Sequence, residues 1–461
     1  MGSQSTEAHK VIIVGAGPVG LTTAINLARL GVDTLVLEQG DGIDQSPRAT
    51  SYQPCVMAEM QETGILEDVK KKSMVNNVLS YWLGRGPEKE RVAVVEKLEG
   101  GSKFPSGINC GQPILASTIL DHLVTWYSGH AQVRFHQRLE EITQTDSTVS
   151  VRFRDPRTNE DTEYTAEWLV GADGAGSTVR RLLDIQFEGF SWPKEDFCAT
   201  NIRYPFEKYG FTTANFIMDP VHWAVITVID NTGLWRCAFG VKAGMTNNEI
   251  RAEIDEHFQH ILPGWPNEEY ELVQLNRYKP HQRCASMYKK GRCLLAGDAA
   301  HSNNPIGGLG LTTGLLDAGP LGRALGAVVN GKAPASILDD WAQLRRDKWL
   351  NFTNEFSIEN KRMVQRGGYS DDPAGIWKMD EVSALHGMDK WIKSATLEKR
   401  QADSALWKNL ANKETQLVSR LKQWDIAMDP RWMEAYEDPE VVKERLLFRP
   451  IKDTSTKTYL T

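Results

Sequence analysis

The stretch VIIVGAGPVG, residues 11–20, decides the fold of this chain. Its first four residues are apolar and β-branched, which predicts a buried strand, and a glycine-rich turn follows without a spacer. The residues from Leu21 to Leu30 place their apolar side chains on one face of a helix, and Gly31 stands where such a helix ends. A strand, a tight turn and a helix are therefore predicted in direct succession.

The stretch DTLVLE, residues 33–38, predicts a second buried strand that ends in a carboxylate. Together with the first stretch it forms the fingerprint of a dinucleotide-binding fold. We expect Gly15 to permit the tight turn, Gly17 to let the backbone approach a pyrophosphate, and Gly20 to let the helix pack on the strand. Glu38 is expected to accept hydrogen bonds from the adenosine ribose. The fingerprint alone does not distinguish FAD from NAD.

Two later stretches, WLVGADGAGSTVRR and GRCLLAGDAAH, each predict a strand, a glycine-rich turn and the start of a helix. They contain Asp173 and Asp298. The second stretch leads into a further glycine-rich run, residues 302–314, which opens another helix. Such a backbone permits close approach of a flat anionic group such as a reduced flavin. The N–H groups near Leu311 and Thr312 are expected to stabilise its negative edge.

These three motifs, in this order and at these separations, resemble those of the class A FAD-dependent monooxygenases typified by p-hydroxybenzoate hydroxylase and phenol hydroxylase. The resemblance covers most of the chain, from Lys10 to Trp349. It implies an α/β fold with a Rossmann-like FAD-binding domain, a β-sheet substrate domain and a helical C-terminal region. It also implies FAD as cofactor, with NAD(P)H and dioxygen as co-substrates, and hydroxylation of a phenolic or related aromatic substrate through a flavin C4a-hydroperoxide.

The resemblance also implies roles for individual residues. Asp298 is expected to bind a ribityl hydroxyl group of FAD, and the turn that contains Asp173 is associated with both FAD and NAD(P)H in this family. Arg48 and Gln112 match positions that touch FAD.

The glycine-rich run after His301 is expected to line the flavin pocket through Pro305, Gly307 and Gly308. This chain departs from the family there, because Leu309 stands where Gln is common and Thr312 where Asn is common. We expect the backbone contacts to survive both changes.

The resemblance predicts an FAD-binding domain that is assembled from separated stretches. The expected boundaries are 8–80, 107–185 and 285–360 for the FAD-binding domain, 81–106 and 186–284 for the substrate domain, and 361–461 for the C-terminal region. Within the substrate domain the pattern predicts strands at Phe197–Tyr204, Phe211–Met218, His222–Ile229 and Leu234–Val241, and a helix at Thr246–Leu262. Strands without intervening helices predict an antiparallel sheet, and the cleft beside it is the expected active site.

Activation of a phenol requires a base or a cation that favours the phenolate. His222 and Arg236, both expected on strands of the substrate domain, are the candidates. We expect His301 to form a structural hydrogen bond rather than to relay a proton. The tryptophans of the C-terminal region are expected to serve packing or homodimer contacts.

Composition excludes several other classes of function. A formal net charge of -7 does not favour a nucleic acid partner. The six cysteines are widely spaced, without CxxC, which predicts reduced thiols and no metal site. No apolar stretch reaches the roughly 18 residues of a membrane helix, and no signal peptide is present, so a cytoplasmic protein without membrane contact is expected. The match of residues 1–6 to a myristoylation pattern is interpreted as accidental.

Three alternatives bear on the monooxygenase prediction. The chain has no second GxGxxG for NAD(P)H, which fits class A enzymes and argues against a reductase with two dinucleotide domains. It also lacks the WxWxIP motif of related halogenases and the apolar helix of squalene epoxidases. An FAD-dependent epoxidase, a Baeyer–Villiger-type oxygenase and an FAD protein that performs no oxygenation remain open.

Overall fold

The computed structural model describes residues 7–96, 106–230 and 232–365. The described strands are β1 (Glu7–Val14), β2 (Thr34–Leu37), β3 (Ser51–Tyr52), β4 (Met74–Asn76), β5 (Val78–Leu83), β6 (Glu90–Glu96), β7 (Gly107–Asn109), β8 (Ala131–Arg134), β9 (Arg138–Gln144), β10 (Val149–Arg154), β11 (Asp161–Gly171), β12 (Phe187–Ser191), β13 (Glu195–Arg203), β14 (Ala214–Met218), β15 (Ala224–Val228), β16 (Leu234–Lys242), β17 (Glu271–Tyr278), β18 (His281–Ala285), β19 (Lys289–Lys290), β20 (Cys293–Leu295) and β21 (His301–Ser302).

The described α-helices are α1 (Pro18–Arg29), α2 (Cys55–Glu62), α3 (Leu66–Lys71), α4 (Gln112–Trp126), α5 (Thr178–Leu182), α6 (Asn247–Ala252), α7 (Ile254–Ile261), α8 (Leu309–Val329), α9 (Ile337–Lys348) and α10 (Asn354–Val364).

The first sheet, here called the Rossmann-like sheet, has β1 near its centre. Strand β1 pairs in parallel with β2 and β11, and β8 and β20 extend the parallel part on either side. Residues 11–14 are buried, and so are all of β2 and most of α1. Burial on both faces explains why these strands are uninterrupted apolar runs. The predicted strand, turn and helix at residues 11–30 are confirmed.

The second large sheet, here called the seven-stranded sheet, has the order β17-β13-β16-β15-β14-β5-β6. Its strands between residues 195 and 278 pair antiparallel with one another, which confirms the predicted antiparallel sheet, and β5 joins them by pairing in parallel with β14. The parallel pair arises because β5 comes from a much earlier part of the chain. The predicted helix at Thr246–Leu262 is two helices, α6 and α7, that meet at Glu253.

The two faces of the seven-stranded sheet pack on different partners. One face carries apolar side chains that pack with those of α6 and α7, among them Ile226, Phe239 and Phe258. The opposite face contributes Phe197 and Trp223 to a second apolar cluster. That cluster also contains residues that follow the Rossmann-like sheet, so this face is turned toward the other half of the molecule.

The expected domain boundaries remain predictions, although β5 begins at Val78, ahead of the expected boundary at residue 81. Of the expected C-terminal region only residues 361–365 are described, and its tryptophans lie outside the described residues, as do residues 1–6. All six cysteines are free and buried, which confirms the prediction of unpaired thiols. No helix within 7–96, 106–230 and 232–365 is both long enough and apolar enough to cross a bilayer.

Candidate active site

A cavity of about 380 Å³ lies between the Rossmann-like sheet and the seven-stranded sheet. On one side it is lined by the turns that follow β1, β11 and β20, where the carboxyl ends of parallel strands meet. On the other side it is lined by side chains of the seven-stranded sheet. Its volume is within the range of pockets that bind small organic molecules.

The three glycines of the first turn have different surroundings. Gly15 has φ of 107°, and a Cβ there would lie 2.5 Å from the carbonyl oxygen of Ala172. A Cβ at Gly20 would lie 2.0 Å from the carbonyl oxygen of Gly15, so only glycine lets α1 pack this closely. Gly17 lines the cavity, and its Cβ would meet no atom within 4 Å. The space at Gly17 therefore belongs to the cavity.

Glu38 stabilises the turn between β1 and α1. Its carboxylate accepts hydrogen bonds from the N–H groups of Ala16 at 2.9 Å and Gly40 at 2.8 Å. Glu38 is not among the residues that line the cavity. Its expected contact with a ribose remains a prediction.

Asp298 presents an unengaged carboxylate to the cavity. It is surface-exposed at the cavity wall and accepts no hydrogen bond from the part of the chain that the structure describes. Desolvation by the surrounding protein raises the pKa of Asp298, while His301 and Arg48 act in the opposite direction. Its carboxylate oxygens are therefore available to accept hydrogen bonds from a molecule in the cavity.

A buried ionic cluster fixes the turn that carries Asp298. The carboxylate of Asp317 accepts hydrogen bonds from the N–H of Gly297 at 3.0 Å, from Nε2 of His301 at 2.6 Å and from Nε of Arg345 at 2.6 Å. Burial alone would raise the pKa of Asp317, but His301 and Arg345 outweigh it and hold this pKa low. His301 is fully buried and lies outside the cavity lining, which supports its structural role.

Asp173 uses its carboxylate within its own turn. It accepts hydrogen bonds from the hydroxyl of Ser177 at 2.5 Å and from the N–H groups of Thr178 at 2.7 Å and Val179 at 3.1 Å, at the start of α5. Burial raises the pKa of Asp173. The side chain does not line the cavity, whereas its neighbour Gly174 does. The structure therefore brings the backbone of this turn, and not the carboxylate, to the candidate site.

Arg180 connects the two glycine-aspartate turns, which sequence reasoning did not identify. Its guanidinium donates to the carbonyl oxygens of Ala175 and Ala299, each at 2.7 Å, and lies 3.7 Å from the ring centre of Phe187. Burial lowers the pKa of Arg180. In the sequence, this role is indicated only by the position of Arg180 in the first turn of the helix that follows a glycine-aspartate turn.

The loop between β21 and α8 requires glycine at two positions. Gly307 has φ of 101°, and Gly308 has φ of 66° and lies so close to Ser51 that a Cβ would be 2.9 Å from its carbonyl oxygen. Pro305, Gly308 and Leu311 line the cavity as expected.

The two departures from the family pattern are accommodated outside the cavity. Leu309 is buried in the core of the Rossmann-like half. Thr312 is also buried, does not line the cavity, and donates its hydroxyl to the carbonyl oxygen of Gly308 at 2.8 Å. Gln53, which sequence reasoning missed, supports the same loop by donating to the carbonyl oxygen of Gly307 at 2.9 Å. The side chain of Thr312 therefore shapes the loop.

Arg48 and Gln112 both line the cavity, as expected. The Nε of Arg48 donates to Asp44 at 3.2 Å and to Ser46 at 3.1 Å. The N–H of Gln112 donates to the carbonyl oxygen of Ala49 at 3.0 Å. These contacts hold both residues at the cavity wall.

The cavity face of the seven-stranded sheet is organised in rows of side chains across neighbouring strands. The first row is polar, the second is small and the third is aromatic. The rows, read from strand pairing, are Asn201, Arg236 and Thr227, then Ala199, Ala238 and Val225, then Phe197 with Gly240, next to Trp223. The small second row leaves a hollow between a polar end and an aromatic end.

Arg236 occupies the polar end of this hollow. Its Nε donates to Oδ1 of Asn201 at 2.8 Å, and its Nη1 donates to the main-chain carbonyl oxygen of Arg48. It is 9% exposed, lines the cavity and forms no ion pair within the described ranges. Burial lowers the pKa of Arg236 to about 10, with an opposing influence from Tyr278, so the group remains a cation at neutral pH.

His222 does not reach the cavity, so its candidacy as a phenol-activating residue is not supported. It lies in a turn before β15, because Asp219 accepts hydrogen bonds from the N–H groups of Val221 and His222 and delays the start of the strand. Its ring stacks on His260 at 3.8 Å. Burial, followed by His260, lowers the pKa of His222 to about 4.

Three kinds of comparison with known proteins give consistent matches. The model of the family described as FAD binding domain matches residues 8–351. Para-nitrophenol 4-monooxygenase of Pseudomonas sp. strain WBC-3 is 37% identical over 83% of this chain and 93% of that protein. A 6-hydroxy-3-succinoylpyridine 3-monooxygenase of Pseudomonas putida is 34% identical over 83% of this chain and 95% of that protein. The crystal structure of p-nitrophenol 4-monooxygenase from Pseudomonas putida DLL-E4 superposes with a TM-score of 0.74 at 33% identity, covering 90% of this chain and 99% of that chain.

Proposed function

This chain belongs to the class A FAD-dependent aromatic monooxygenases, and from that premise we propose that it hydroxylates a single-ring phenol that Arg236 binds as the phenolate. The observation that carries the proposal is a buried, cavity-lining guanidinium without an acidic partner in the described ranges. FAD supplies the activation of dioxygen when it is bound in its reduced form. One oxygen atom enters the ring, the other leaves as water, and NAD(P)H provides the two electrons.

The residues at the carboxyl ends of the Rossmann-like strands fit FAD. The open space at Gly17, next to the N-terminus of α1, suits a pyrophosphate. The unengaged carboxylate of Asp298 suits a polyol hydroxyl. The N–H groups of Gly310 and Leu311, in the first turn of α8, suit the electron-rich edge of a reduced flavin.

Arg236 has the chemistry to hold a phenolate. A simple phenol has a pKa near 10, as tyrosine does, and a cation within hydrogen-bonding distance lowers that value. A phenolate places more electron density on its ring than a phenol does, which favours attack on an electrophilic oxygen. Because Arg236 is already buried, a bound anion would compensate a charge that has no acidic partner within the described ranges.

The shape of the hollow supports a substrate with one ring. Ala199 and Ala238 leave room for a flat ring above the sheet, and Pro305, in the loop between β21 and α8, lines the cavity. The end opposite Arg236 is aromatic, with Phe197 and Trp223 in contact at a ring distance of 4.8 Å. We therefore propose a phenol with an uncharged group para to the hydroxyl. Para-nitrophenol, on which the relative named above acts, is the first compound to test.

The test compares the FAD-loaded wild type with Arg236→Met and Arg236→Lys. Consumption of NAD(P)H and dioxygen is measured with phenol, 4-nitrophenol, 4-cyanophenol and 4-nitroanisole, which cannot form a phenolate. We expect the three phenols to stimulate consumption with formation of hydroxylated product, and 4-nitroanisole to have no effect. Arg236→Met is expected to lower kcat/KM about 100-fold, or about 2.7 kcal/mol, and Arg236→Lys less.

Two results would contradict the proposal. One is a wild type that no phenol stimulates. The other is an Arg236→Met variant that hydroxylates phenols as efficiently as the wild type. Turnover of ketones or alkenes instead of phenols would favour oxygen insertion or epoxidation.

A further inference from the structure

One face of α10 forms a wall of the cavity. Phe356, Asn360 and Met363, spaced by four and three residues, all line it. Asn360 donates to the carbonyl oxygen of Ile306 at 3.3 Å, and a Cβ at Gly307 would lie 2.4 Å from its Nδ2. Helix α10 therefore contacts the loop between β21 and α8 directly.

A buried polar cluster fastens the same helix to the seven-stranded sheet. The ammonium group of Lys361 donates to Oε2 of Glu195, on β13, and to Oε1 of Gln365 at 2.7 Å. The amide of Gln365 donates to both carboxylate oxygens of Glu195 at 3.1 Å. All three side chains are buried. Glu195 therefore joins the sheet to the helix that lines the cavity.

The same carboxylate also holds the aromatic end of the hollow. The indole N–H of Trp223 donates to Oε1 of Glu195 at 2.9 Å. Gly240 leaves space for this bond, since a Cβ there would lie 2.3 Å from Oε1 of Glu195 and 2.9 Å from Nε1 of Trp223. Lys361 lies 5.5 Å and 5.8 Å from the ring centres of Phe197 and Trp223. The orientation of the Trp223 ring thus depends on Glu195.

We propose that Glu195 and Lys361 are positioning residues that hold Trp223 and α10 as an end wall selecting compact, uncharged para substituents. The inference rests on the proposed function and specifies the substrate class. With the phenolate oxygen on Arg236, the para substituent lies toward Trp223 and Met363. An anionic substituent is excluded, because the cation behind this wall, Lys361, is already neutralised by Glu195 and separated from the cavity by aromatic rings.

The test replaces both Glu195 and Lys361, so that neither charge is left buried without its partner. In the double variant Glu195→Leu/Lys361→Met both charges and the acceptor for Trp223 are lost. In Glu195→Gln/Lys361→Met an acceptor for the indole N–H is kept. The FAD-loaded proteins are titrated with phenol, 4-methylphenol, 4-nitrophenol and 4-hydroxybenzoate, and Kd values are read from the change in flavin absorbance. The share of consumed NAD(P)H that appears as hydroxylated product is measured alongside.

The double variant Glu195→Leu/Lys361→Met, here called the leucine variant, is expected to have a Kd for phenol within about two-fold of the wild-type value. Its Kd for 4-nitrophenol is expected to rise about ten-fold relative to its Kd for phenol. The double variant Glu195→Gln/Lys361→Met, here called the glutamine variant, is expected to keep the ratio of the 4-nitrophenol Kd to the phenol Kd within about three-fold of the wild-type ratio. Gly240→Ala, which crowds the Glu195 to Trp223 bond, should shift the ratio in the same direction as the leucine variant. The wild type is expected to bind 4-hydroxybenzoate more weakly than phenol.

The matched control is Glu59→Gln/Arg323→Met, which removes a buried ion pair whose members do not line the cavity. This control should leave the ratio of the 4-nitrophenol Kd to the phenol Kd unchanged. The inference is overturned if the leucine variant weakens phenol and 4-nitrophenol by the same factor, or changes neither. It is also overturned if the glutamine variant loses as much discrimination as the leucine variant. A wild type that binds no phenol overturns the proposed function as well, which separates the two failures.

Discussion

The two halves of the molecule each bury an arginine, and these two residues are satisfied in different ways. In the Rossmann-like half, Arg323 donates to both carboxylate oxygens of Glu59 at 2.9 and 3.0 Å and to Asn26 at 3.1 Å. In the seven-stranded sheet, Arg236 has, among the described residues, an amide and a main-chain carbonyl as acceptors and no carboxylate. Arg323 is therefore neutralised by a carboxylate of the fold, whereas Arg236 forms no ion pair within the described ranges and is the arginine proposed to bind an anionic ligand.

The largest change in the free energy of unfolding is expected from breaking the ion pair between Arg323 and Glu59. Arg323→Met leaves the Glu59 carboxylate buried without its ionic partner, next to Gly319, where a Cβ would lie 2.0 Å from it. We expect the free energy of unfolding to fall by about 3–5 kcal/mol. Urea denaturation of the FAD-loaded protein, followed by circular dichroism, measures this. A loss below about 1 kcal/mol would show that the pair behaves like a surface ion pair.

The second prediction concerns the stability of the protein when Arg236 is replaced. Arg236→Met removes a buried cation that forms no ion pair within the described ranges, together with its two hydrogen bonds, so the free energy of unfolding should change by no more than about 2 kcal/mol. The same denaturation experiment provides the measurement. Adding para-nitrophenol should raise the midpoint for the wild type and not for the variant. A loss as large as that of Arg323→Met would remove the distinction between the two arginines.

The third prediction compares Asp298 with the other aspartate of a glycine-aspartate turn. Asp298→Ala removes the unengaged acceptor at the cavity wall, and we expect FAD affinity to fall about ten-fold, or about 1.4 kcal/mol. Flavin fluorescence during titration of the apoprotein gives the Kd. Unchanged affinity would contradict the role proposed for this carboxylate.

The smallest effect is expected from Asp173→Ala. This carboxylate accepts its three hydrogen bonds at the start of α5, so its loss should lower the free energy of unfolding by about 1 kcal/mol, as for other helix caps. FAD affinity should change less than in Asp298→Ala. If the two variants had equal flavin affinities, the structural difference between the turns would have no functional meaning.

Short-range patterns allowed the Rossmann-like fold to be predicted. The apolar run at residues 11–14, the glycine turn and the helix are local features, and both Gly15 and Gly20 have the tight contacts that the motif implies. The position of Arg236 could also be predicted from the sequence. It alternates with the apolar residues Trp235 and Cys237, which are buried, and this alternation places it on the opposite face of its strand.

Long-range contacts could not be predicted in this way. Glu195 and Lys361 are 166 residues apart, and no local pattern joins them. His222 was placed on a strand because the run that follows it alternates, but the hydrogen bonds that Asp219 makes with the preceding turn delay the strand. Whether Asp173 or Asp298 faces the cavity depends on the neighbours each carboxylate has, which the similar turn sequences do not reveal.

The hollow above the small row exists because the side chains of Ala199 and Ala238 end at Cβ. The pairing of β13 with β16 is made by backbone groups, so exchanging either alanine for valine or leucine would reduce the hollow and leave the register intact. The size of the accepted ring can therefore be redesigned at two positions on one sheet, independently of the loops that are expected to hold FAD.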